Sequence, residues 1–159
     1  MYFAVGSFGV YKVSKIASTM KARDYKDVTD IIKSGGGDEM KSVVRRLTPL
    51  ECERLQGFPD GWTDIGEWTD SKGKKHKESD SPRYKALGNS IAIPFWFYLL
   101  RRISAQYERP ATLGSLFDGI GGFPLCWERC NGKGTAIWAS EIEEFPIAVT
   151  KKHFPEVEQ

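Results

Sequence analysis

The stretch TLGSLFDGIGGFPLCWERC, residues 112–130, constrains the fold of this chain more than any other segment. An apolar run is followed by a cluster of glycines and then by a segment with helical periodicity, which together predict a strand, a tight loop and a helix. TAIWAS at 135–140 predicts a second buried strand, and a last helix is expected over about 144–153, with Pro146 in its first turn. A strand–helix–strand unit of this kind is typical of α/β nucleotide-binding proteins.

The glycine loop predicts a site for a nucleoside. Glycines after the first strand let the backbone turn sharply and approach a ligand, and an acid at the end of the second strand can accept hydrogen bonds from ribose hydroxyls. Glu141 lies 23 positions after Asp118, near the usual spacing of roughly 20. The loop lacks the complete G-x-G-x-x-G pattern that shelters a pyrophosphate, which favours a ligand such as S-adenosylmethionine. The alternative is a tight turn with a purely structural role.

Composition limits the classes of protein to consider. The chain has 159 residues, enough for one domain but short for an α/β enzyme with separate cofactor and substrate domains. No segment has the roughly 18 consecutive apolar residues of a membrane span, and the N-terminus lacks a signal-peptide pattern, so we expect a cytoplasmic protein without a membrane partner. Its 3 cysteines, an odd number, argue against a disulfide framework.

Charge alone does not indicate nucleic-acid binding. The net charge is only +2, although basic residues occur in clusters that can contact phosphates. These clusters are Arg45 with Arg46, the four lysines Lys72, Lys74, Lys75 and Lys77, and Arg101 with Arg102. On charge alone, the preferred interpretation is that they are solvated surface.

The first third of the chain predicts short strands up to about Ile32, followed by a flexible connection, SGGGDE, at 34–39. A short helix is then expected from Pro49, because Thr48 can cap it and Glu51 completes a capping box. Gly57 and the following Pro59 are expected to end this helix after about two turns.

The middle of the chain, residues 61–82, is polar and predicts a solvent-exposed loop. A turn is expected at 88–90, and a helix from Pro94 to about Tyr107. The first half of this helix is apolar almost all round, which predicts that the helix is buried.

Three segments together resemble signature motifs of the DNA cytosine-5 methyltransferases. LFDGIGGF with SEI is similar to the opening cofactor motif of that family, RRLTPLECERLQGFPDGW to the motif that supports the target-recognition region, and YKALGNSIAIP to the final motif, which folds back onto the cofactor site. IASTMKARDYK at 16–26 looks like the exit from a target-recognition domain. The resemblance implies an α/β protein with a partial Rossmann-like, S-adenosylmethionine-dependent methyltransferase fold and a remnant of the target-recognition region.

The order of these motifs differs from the usual order in the family. GNS at 88–90 precedes DGIGG at 118–122, whereas the glycine motif normally comes first and GNS last. This order predicts a circular permutation in which a short link, ERP at 108–110, joins the former ends. We therefore divide the chain into three parts. Residues 1–44 are the end of the target-recognition region with a linker, residues 45–107 carry the support and final motifs with the buried helix, and residues 108–159 form the first βαβ unit of the cofactor domain.

The resemblance also assigns residues to the cofactor site. The glycine loop would line the cofactor, largely through backbone and apolar contacts, with residues Phe117, Asp118, Gly119, Ile120, Gly121 and Gly122. The end of the second strand would hold the ribose hydroxyls with Glu141 and contact the adenine with Ile142. The final motif would close the site near the methionine end with Asn89 and Ser90.

Two motifs of the family are missing from the chain. The family's nucleophile is a cysteine in a Pro-Cys pair that attacks C6 of a flipped cytosine, assisted by the glutamate of a Glu-Asn-Val motif. Neither motif occurs here, so no catalytic residue is assigned. Cys52, Cys126 and Cys130 are predicted to be core thiols. A metal site combining Cys126 and Cys130 with His76 or His153 has no support in ligand spacing.

These observations predict that the chain is part of a DNA cytosine-5 methyltransferase and that it is inactive as an isolated chain. Its expected partners are double-stranded DNA and the remaining methyltransferase segment, in cis or in trans, and its small parallel sheet predicts self-association. A non-catalytic cofactor- and DNA-binding subunit, or a degenerate remnant, is the alternative. A dinucleotide-dependent enzyme is disfavoured by the incomplete glycine spacing.

Overall fold

A computed structural model describes residues 46–109 and 111–159 in full, together with the backbone of three short strands before them. These strands, β1 (Tyr2–Val5), β2 (Tyr11–Ser14) and β3 (Asp30–Ile32), form an antiparallel sheet in the order β2-β1-β3. The predicted short strands are therefore present. The predicted connection at 34–39 and the segment 16–26 lie outside the described residues.

Helix α1, Pro49–Gln56, confirms the predicted capped helix. The Glu51 backbone N–H donates to Thr48 Oγ1, and the Thr48 backbone N–H donates to the Glu51 carboxylate at 2.8 Å. Gly57 ends the helix in the left-handed region, with φ 81°. A β-carbon placed on Gly57 would lie 2.6 Å from Pro94 Cδ, so the close contact with the next motif also requires glycine.

The prediction of an exposed loop over 61–82 is wrong in two places. Strands β4 (Trp68–Thr69) and β5 (Lys75–His76) form an antiparallel hairpin within it. Helix α2, Asp80–Gly88, also begins inside this segment. The polar composition concealed the hairpin because its contacts with the protein body depend mainly on Trp68, which packs edge-on against Phe145 at 5.6 Å.

Helix α3, Ile93–Ser104, is present, but the prediction that it is buried is wrong. Ile93 and Leu100 are buried, whereas Phe95 and Tyr98 are more than half exposed. The helix therefore has one buried and one exposed apolar face within the part of the chain that the structure describes.

Helix α3 packs chiefly against helix α4, Gly122–Asn131, rather than against the strand that precedes α4. The rings of Trp96 and Phe123 meet edge to face at 5.0 Å, and the Ser104 hydroxyl donates to Asn131 Oδ1 at 2.5 Å. The two helices thus run side by side along most of their length, so that the C-terminal end of α3 lies at the C-terminal end of α4.

The last part of the chain forms the predicted strand–helix–strand–helix unit. Strands β6 (Leu113–Leu116) and β7 (Ala136–Ser140) are parallel, α4 connects them, and α5 (Glu144–His153) follows. After α5 the chain returns to β7, where the Ala139 N–H donates to Glu158 O at 2.8 Å and the Glu158 N–H donates to Ile137 O at 3.1 Å. This parallel bridge lies on the opposite side of β7 from β6. The mixed helices and strands are consistent with a fragment of an α/β methyltransferase.

One hydrophobic core joins these elements. It contains residues from α1 to α5 and from β7, and Leu113 of β6 packs against it. Leu87, Ile93, Ile120 and Val149 are almost completely buried. Within the described residues, none of the helices has the length and apolar character needed to cross a membrane.

Candidate functional site

The three motif segments meet at the glycine loop, residues 117–122. Trp62 ends the support segment, RRLTPLECERLQGFPDGW, and its indole N–H donates to Ile120 O at 2.8 Å. Ile91, directly after Asn89 and Ser90, packs on Gly122 so closely that a β-carbon there would lie 2.7 Å from Ile91 Cγ1. Segments that are far apart along the chain therefore form one unit around the loop.

Phe117 stands out at the end of β6. Its φ of 53° lies in the left-handed region, and it is the one non-glycine residue of the described chain with a positive φ. Such a backbone costs on the order of 1–2 kcal/mol for an ordinary side chain, yet the phenyl ring is 84% exposed and gains little from packing. Backbone strain combined with an exposed aromatic ring is typical of a position that contacts a ligand.

Ile142 provides a second exposed apolar side chain, at the end of β7. It is 85% exposed. Phe117 and Ile142 thus follow the carboxyl ends of two neighbouring parallel strands, the edge at which open α/β sheets bind ligands. Exposed apolar groups at this edge can hold the two faces of a flat ring.

Glu141 fixes the loop to the end of β7. Its Oε2 accepts the Gly119 N–H at 2.8 Å, and its Oε1 accepts the N–H groups of Ile142 and Glu143 at 2.6 and 3.0 Å. A carboxylate offers about four acceptor positions, so about one remains for a hydroxyl donor. A β-carbon on Gly119 would meet nothing within 4 Å, so the space above the loop is open.

Asp118 points in the opposite direction, into the protein. Its carboxylate accepts the Ser115 hydroxyl at 2.6 Å and the Thr150 hydroxyl at 3.4 Å, and the residue is buried. Burial raises the pKa of Asp118 above its usual value, although these hydrogen bonds oppose the shift. Ile120 is also buried, so these two residues can line a ligand only with their backbone.

Asp118→Asn tests this description. A carboxyl whose pKa is raised by folding binds its proton more tightly in the folded state, so its contribution to stability falls as the pH rises from its usual pKa of 3.8. At neutral pH the substitution removes a buried charge and keeps one acceptor oxygen for the Ser115 hydroxyl. The Thr150 hydroxyl can then accept from the new amide N–H and donate to Gly119 O. We expect the variant to be at least as stable as the wild type at pH 7, with a weaker fall in stability above pH 4, measured by urea unfolding.

Asp60→Asn is the matched control, because Asp60 is exposed and its hydrogen bond with Arg54 lowers its pKa. A lowered pKa makes the contribution to stability rise with pH, so this variant should change the pH dependence in the opposite direction. If Asp118→Asn unfolds at much lower urea concentration at pH 7, the charge of Asp118 is required and our description is wrong.

The other predicted site residues, Asn89 and Ser90, follow α2. Asn89 is exposed and Ser90 is half-buried, and the Asn89 backbone N–H donates to Lys85 O. Lys85 Nζ in turn lies 2.8 Å from Glu143 Oε2, two residues after Glu141. The structure thus brings this segment to the same edge of the sheet as the glycine loop and Glu141.

Trp62 is a residue of this region to which the sequence assigned no role. Its indole stacks on the His153 ring with centroids 3.7 Å apart, and His153 Nε2 donates to Trp62 O at 2.8 Å. Burial lowers the pKa of His153, which favours the neutral ring with its proton on Nε2. The sequence could have indicated a structural role for Trp62, because a buried indole N–H usually finds a hydrogen-bond partner.

The cysteines lie away from the exposed edge. Cys52 and Cys126 are buried, and Cys130 is half-buried. Burial raises the pKa of Cys126 to about 11 and also raises that of Cys130, so both are protonated at neutral pH. Among the described residues there is no cluster of His, Cys, Asp and Glu side chains that could hold a metal ion.

Comparison with protein families covers two of the three motif segments, RRLTPLECERLQGFPDGW and YKALGNSIAIP. The sequence model of the C-5 cytosine-specific DNA methylases matches residues 6–105, more than half of the chain. The chain belongs to this family. The match ends before the glycine loop, so the segment that carries Phe117 and Glu141 lies outside it.

Individual methyltransferases are similar over shorter parts of their length. The DNA N-6-adenine-methyltransferase of Escherichia phage P1 is 30% identical over 64% of this chain and 24% of its own length. The type II methyltransferase M.NlaX of Neisseria lactamica is 30% identical over 70% of this chain and 29% of its own. M.Sau3AI of Staphylococcus aureus is 40% identical over 42% of this chain and 12% of its own. This member of the methylase family therefore spans less than a third of each relative.

Proposed function

We propose that this chain is the cofactor-binding and support part of a DNA cytosine-5 methyltransferase, which transfers a methyl group from S-adenosylmethionine to C5 of cytosine in double-stranded DNA. One observation carries the proposal: the support segment, the final segment and the glycine loop, which are separate along the chain, pack together around residues 117–122. Membership of the C-5 cytosine-specific DNA methylase family supports the reaction class.

The residues at this edge fit a nucleoside with a thioether or sulfonium tail. Phe117 and Ile142 offer apolar surface for adenine, Glu141 has an acceptor position free for a ribose hydroxyl, and the space above Gly119 is open. S-adenosylmethionine supplies the activated methyl group, and the role of the chain is to bind and orient it. Asn89 and Ser90 would close the site at the methionine end, with Asp118, Ile120, Gly121 and Gly122 supporting it through the backbone.

We further propose that the chain is circularly permuted, with a partial Rossmann-like fold. Only a short link separates the end of α3 at Ser104 from the start of β6 at Leu113. The segment with GNS also packs on the glycine loop, so the two motifs meet although their order along the chain is the reverse of the usual one. The division at 1–44, 45–107 and 108–159 follows from this proposal.

The remaining partners follow from what the sequence lacks. No Pro-Cys pair or Glu-Asn-Val motif occurs in residues 1–159, so we propose that another segment, in cis or in trans, brings the nucleophile. The uncovered apolar side chains of the sheet, Leu116, Ile137 and Trp138, fit such a segment and also fit self-association. The second candidate function, a non-catalytic cofactor- and DNA-binding subunit, is favoured by the same missing motifs.

Glu141→Ala tests the cofactor site. Loss of a buried hydrogen bond to a ribose hydroxyl should weaken binding of S-adenosylhomocysteine by on the order of 1–3 kcal/mol, roughly 5- to 150-fold. The measurement is isothermal titration calorimetry on the full chain. Unchanged affinity would remove Glu141 from the site.

A modified ligand separates this role of Glu141 from its role in holding the loop. The 2′,3′-dideoxy analogue of S-adenosylhomocysteine lacks both ribose hydroxyls, so the wild type should bind it more weakly than the parent compound. Glu141→Ala should bind the two compounds equally. A variant that still prefers the parent compound would show that the hydroxyls are bound elsewhere. NAD, titrated in parallel, should not bind.

A further inference from the structure

The tip of the β4–β5 hairpin is held in one backbone shape by a single carboxylate. Asp70 Oδ1 accepts the backbone N–H groups of Lys72 and Lys74 at 3.0 and 2.9 Å, and its Oδ2 lies 2.9 Å from His76 Nε2. Gly73 allows the turn to close with a φ of 79°. A hairpin this short has little intrinsic stability, so these contacts are what order it.

This ordered turn presents a dense group of cations, which we call the lysine tip: Lys72, Lys74, Lys75 and Lys77. All four side chains are exposed, and none of them forms an ion pair with a residue that the structure describes. His76 lies between two of them with its ring stacked on Trp68 at 4.2 Å. Because successive residues of a strand point to opposite faces, Lys75 points away from that stack.

The lysine tip is attached beside the candidate cofactor site. Both the Ser71 backbone N–H and the Ser71 hydroxyl donate to the Glu144 carboxylate, the former at 2.9 Å. Glu144 begins α5 and comes three residues after Glu141. The tip therefore lies at the edge of the sheet where Phe117 and Ile142 are exposed.

Two other pairs of adjacent basic residues in the described chain lie away from this edge, Arg101 with Arg102 and, in the last turn of α5, Lys151 with Lys152. Arg101 and Arg102 are in the last turn of α3, where Ser104 contacts Asn131 at the C-terminal end of α4. The glycine loop precedes the N-terminal end of α4, and a ten-residue helix is about 15 Å long. Among these basic groups, the lysine tip is the one at the end of the molecule that a methyl-group acceptor has to reach, where Lys85 is already paired with Glu143.

We propose that the lysine tip binds the phosphate backbone of duplex DNA and holds the duplex beside the candidate cofactor site. The inference rests on the proposed function, which makes DNA the substrate. Several unpaired cations on a fixed turn match the dense, regular negative charge of a duplex. Contacts of this kind position the protein on DNA without reading its sequence.

The experiment compares the wild type with two variants that each lose four cations. The tip variant combines Lys72→Gln, Lys74→Gln, Lys75→Gln and Lys77→Gln. The control variant combines Arg101→Gln, Arg102→Gln, Arg129→Gln and Lys133→Gln, all exposed and near the C-terminal end of α4. Binding of a short fluorescent duplex of mixed sequence is measured by anisotropy between about 50 and 200 mM salt. Circular dichroism verifies that each variant is folded.

We expect the tip variant to bind at least about tenfold more weakly at low salt, with the slope of log K against log salt smaller by about 2–4, because each lost phosphate contact removes about 0.9. The control variant should keep the wild-type slope. Equal slopes for the two variants, or a wild type that does not bind the duplex, would overturn the inference. Displacement of the duplex by polyglutamate at equal charge would also overturn it and indicate an acidic protein partner. None of these results affects cofactor binding, which the Glu141 titration tests separately.

Discussion

Residues 1–159 alone are expected to incorporate no labelled methyl groups into mixed-sequence duplex DNA, even when S-adenosylmethionine is bound. Methylation at C5 requires a thiolate that attacks C6, because C5 is otherwise too weak a nucleophile. Cys126 is buried with its pKa raised to about 11, and Cys52 is buried within α1. We expect transfer to appear when a segment with the Pro-Cys and Glu-Asn-Val motifs is added, in cis or in trans.

Serine variants of the three cysteines complete this experiment. In the complemented enzyme, Cys52→Ser, Cys126→Ser and Cys130→Ser should each leave the rate of methyl transfer within a few-fold of the wild type, provided that the variant folds. A far-ultraviolet spectrum and a thermal melt identify any variant that does not. Activity of residues 1–159 without the added segment, abolished by any one of these substitutions, would refute the assignment of the nucleophile to another segment.

Glu53→Ala is expected to cause the largest loss of stability in the described chain. Glu53 is completely buried, and its carboxylate accepts the N–H groups of Gly61 and Thr63 at 2.7 and 2.8 Å. It also accepts the Thr63 hydroxyl at 2.5 Å and lies 3.4 Å from the guanidinium of the buried Arg83. Removing one partner of a buried ion pair typically costs about 3–5 kcal/mol, because the other charge stays buried without compensation.

Urea unfolding followed by circular dichroism measures this effect. Glu67→Ala is the control, because Glu67 is exposed, and changes at exposed positions stay within about 0.5 kcal/mol. Glu53→Gln keeps the acceptor oxygen and the shape but loses the charge, so it should fall between the wild type and Glu53→Ala. If Glu53→Ala is too unstable to fold, the glutamine variant still gives a measurable shift. Unchanged midpoints for both variants would show that this network does not stabilise the fold.

The elements that the sequence predicted correctly are those with local signals. The capping box of α1, the glycines before α4 and the apolar run of β7 each specify their structure through near neighbours along the chain. The hairpin was missed because its strands are only two residues long and are held by contacts with Phe145 and Glu144, which lie far away in sequence. No local pattern contains that information.

The environment of single side chains was harder to predict than the elements. The apolar composition of α3 predicted burial, but burial depends on what the rest of the fold places against each face. Phe95 and Tyr98 stay more than half exposed, with only neighbours from their own helix, Trp96 and Arg102, in ring contact with them in the described chain. Asp118 and Phe117 are adjacent in sequence, yet one side chain is buried and the other is exposed. The local pattern predicts the loop, whereas the direction of the Asp118 side chain depends on a hydrogen bond with the distant Thr150 as well as one with the nearby Ser115.

The contact between Ile91 and Gly122 has a consequence for how the molecule folds. The two residues are 122 − 91 = 31 positions apart in this chain. In the motif order usual for the family, the same contact would close a loop nearly as long as the whole protein. The entropy of loop closure grows as the logarithm of loop length, so a tenfold shorter loop lowers the free-energy cost of this contact by about 2 kcal/mol. Short-range contacts also speed folding, which favours formation of the glycine loop and its neighbours early in folding.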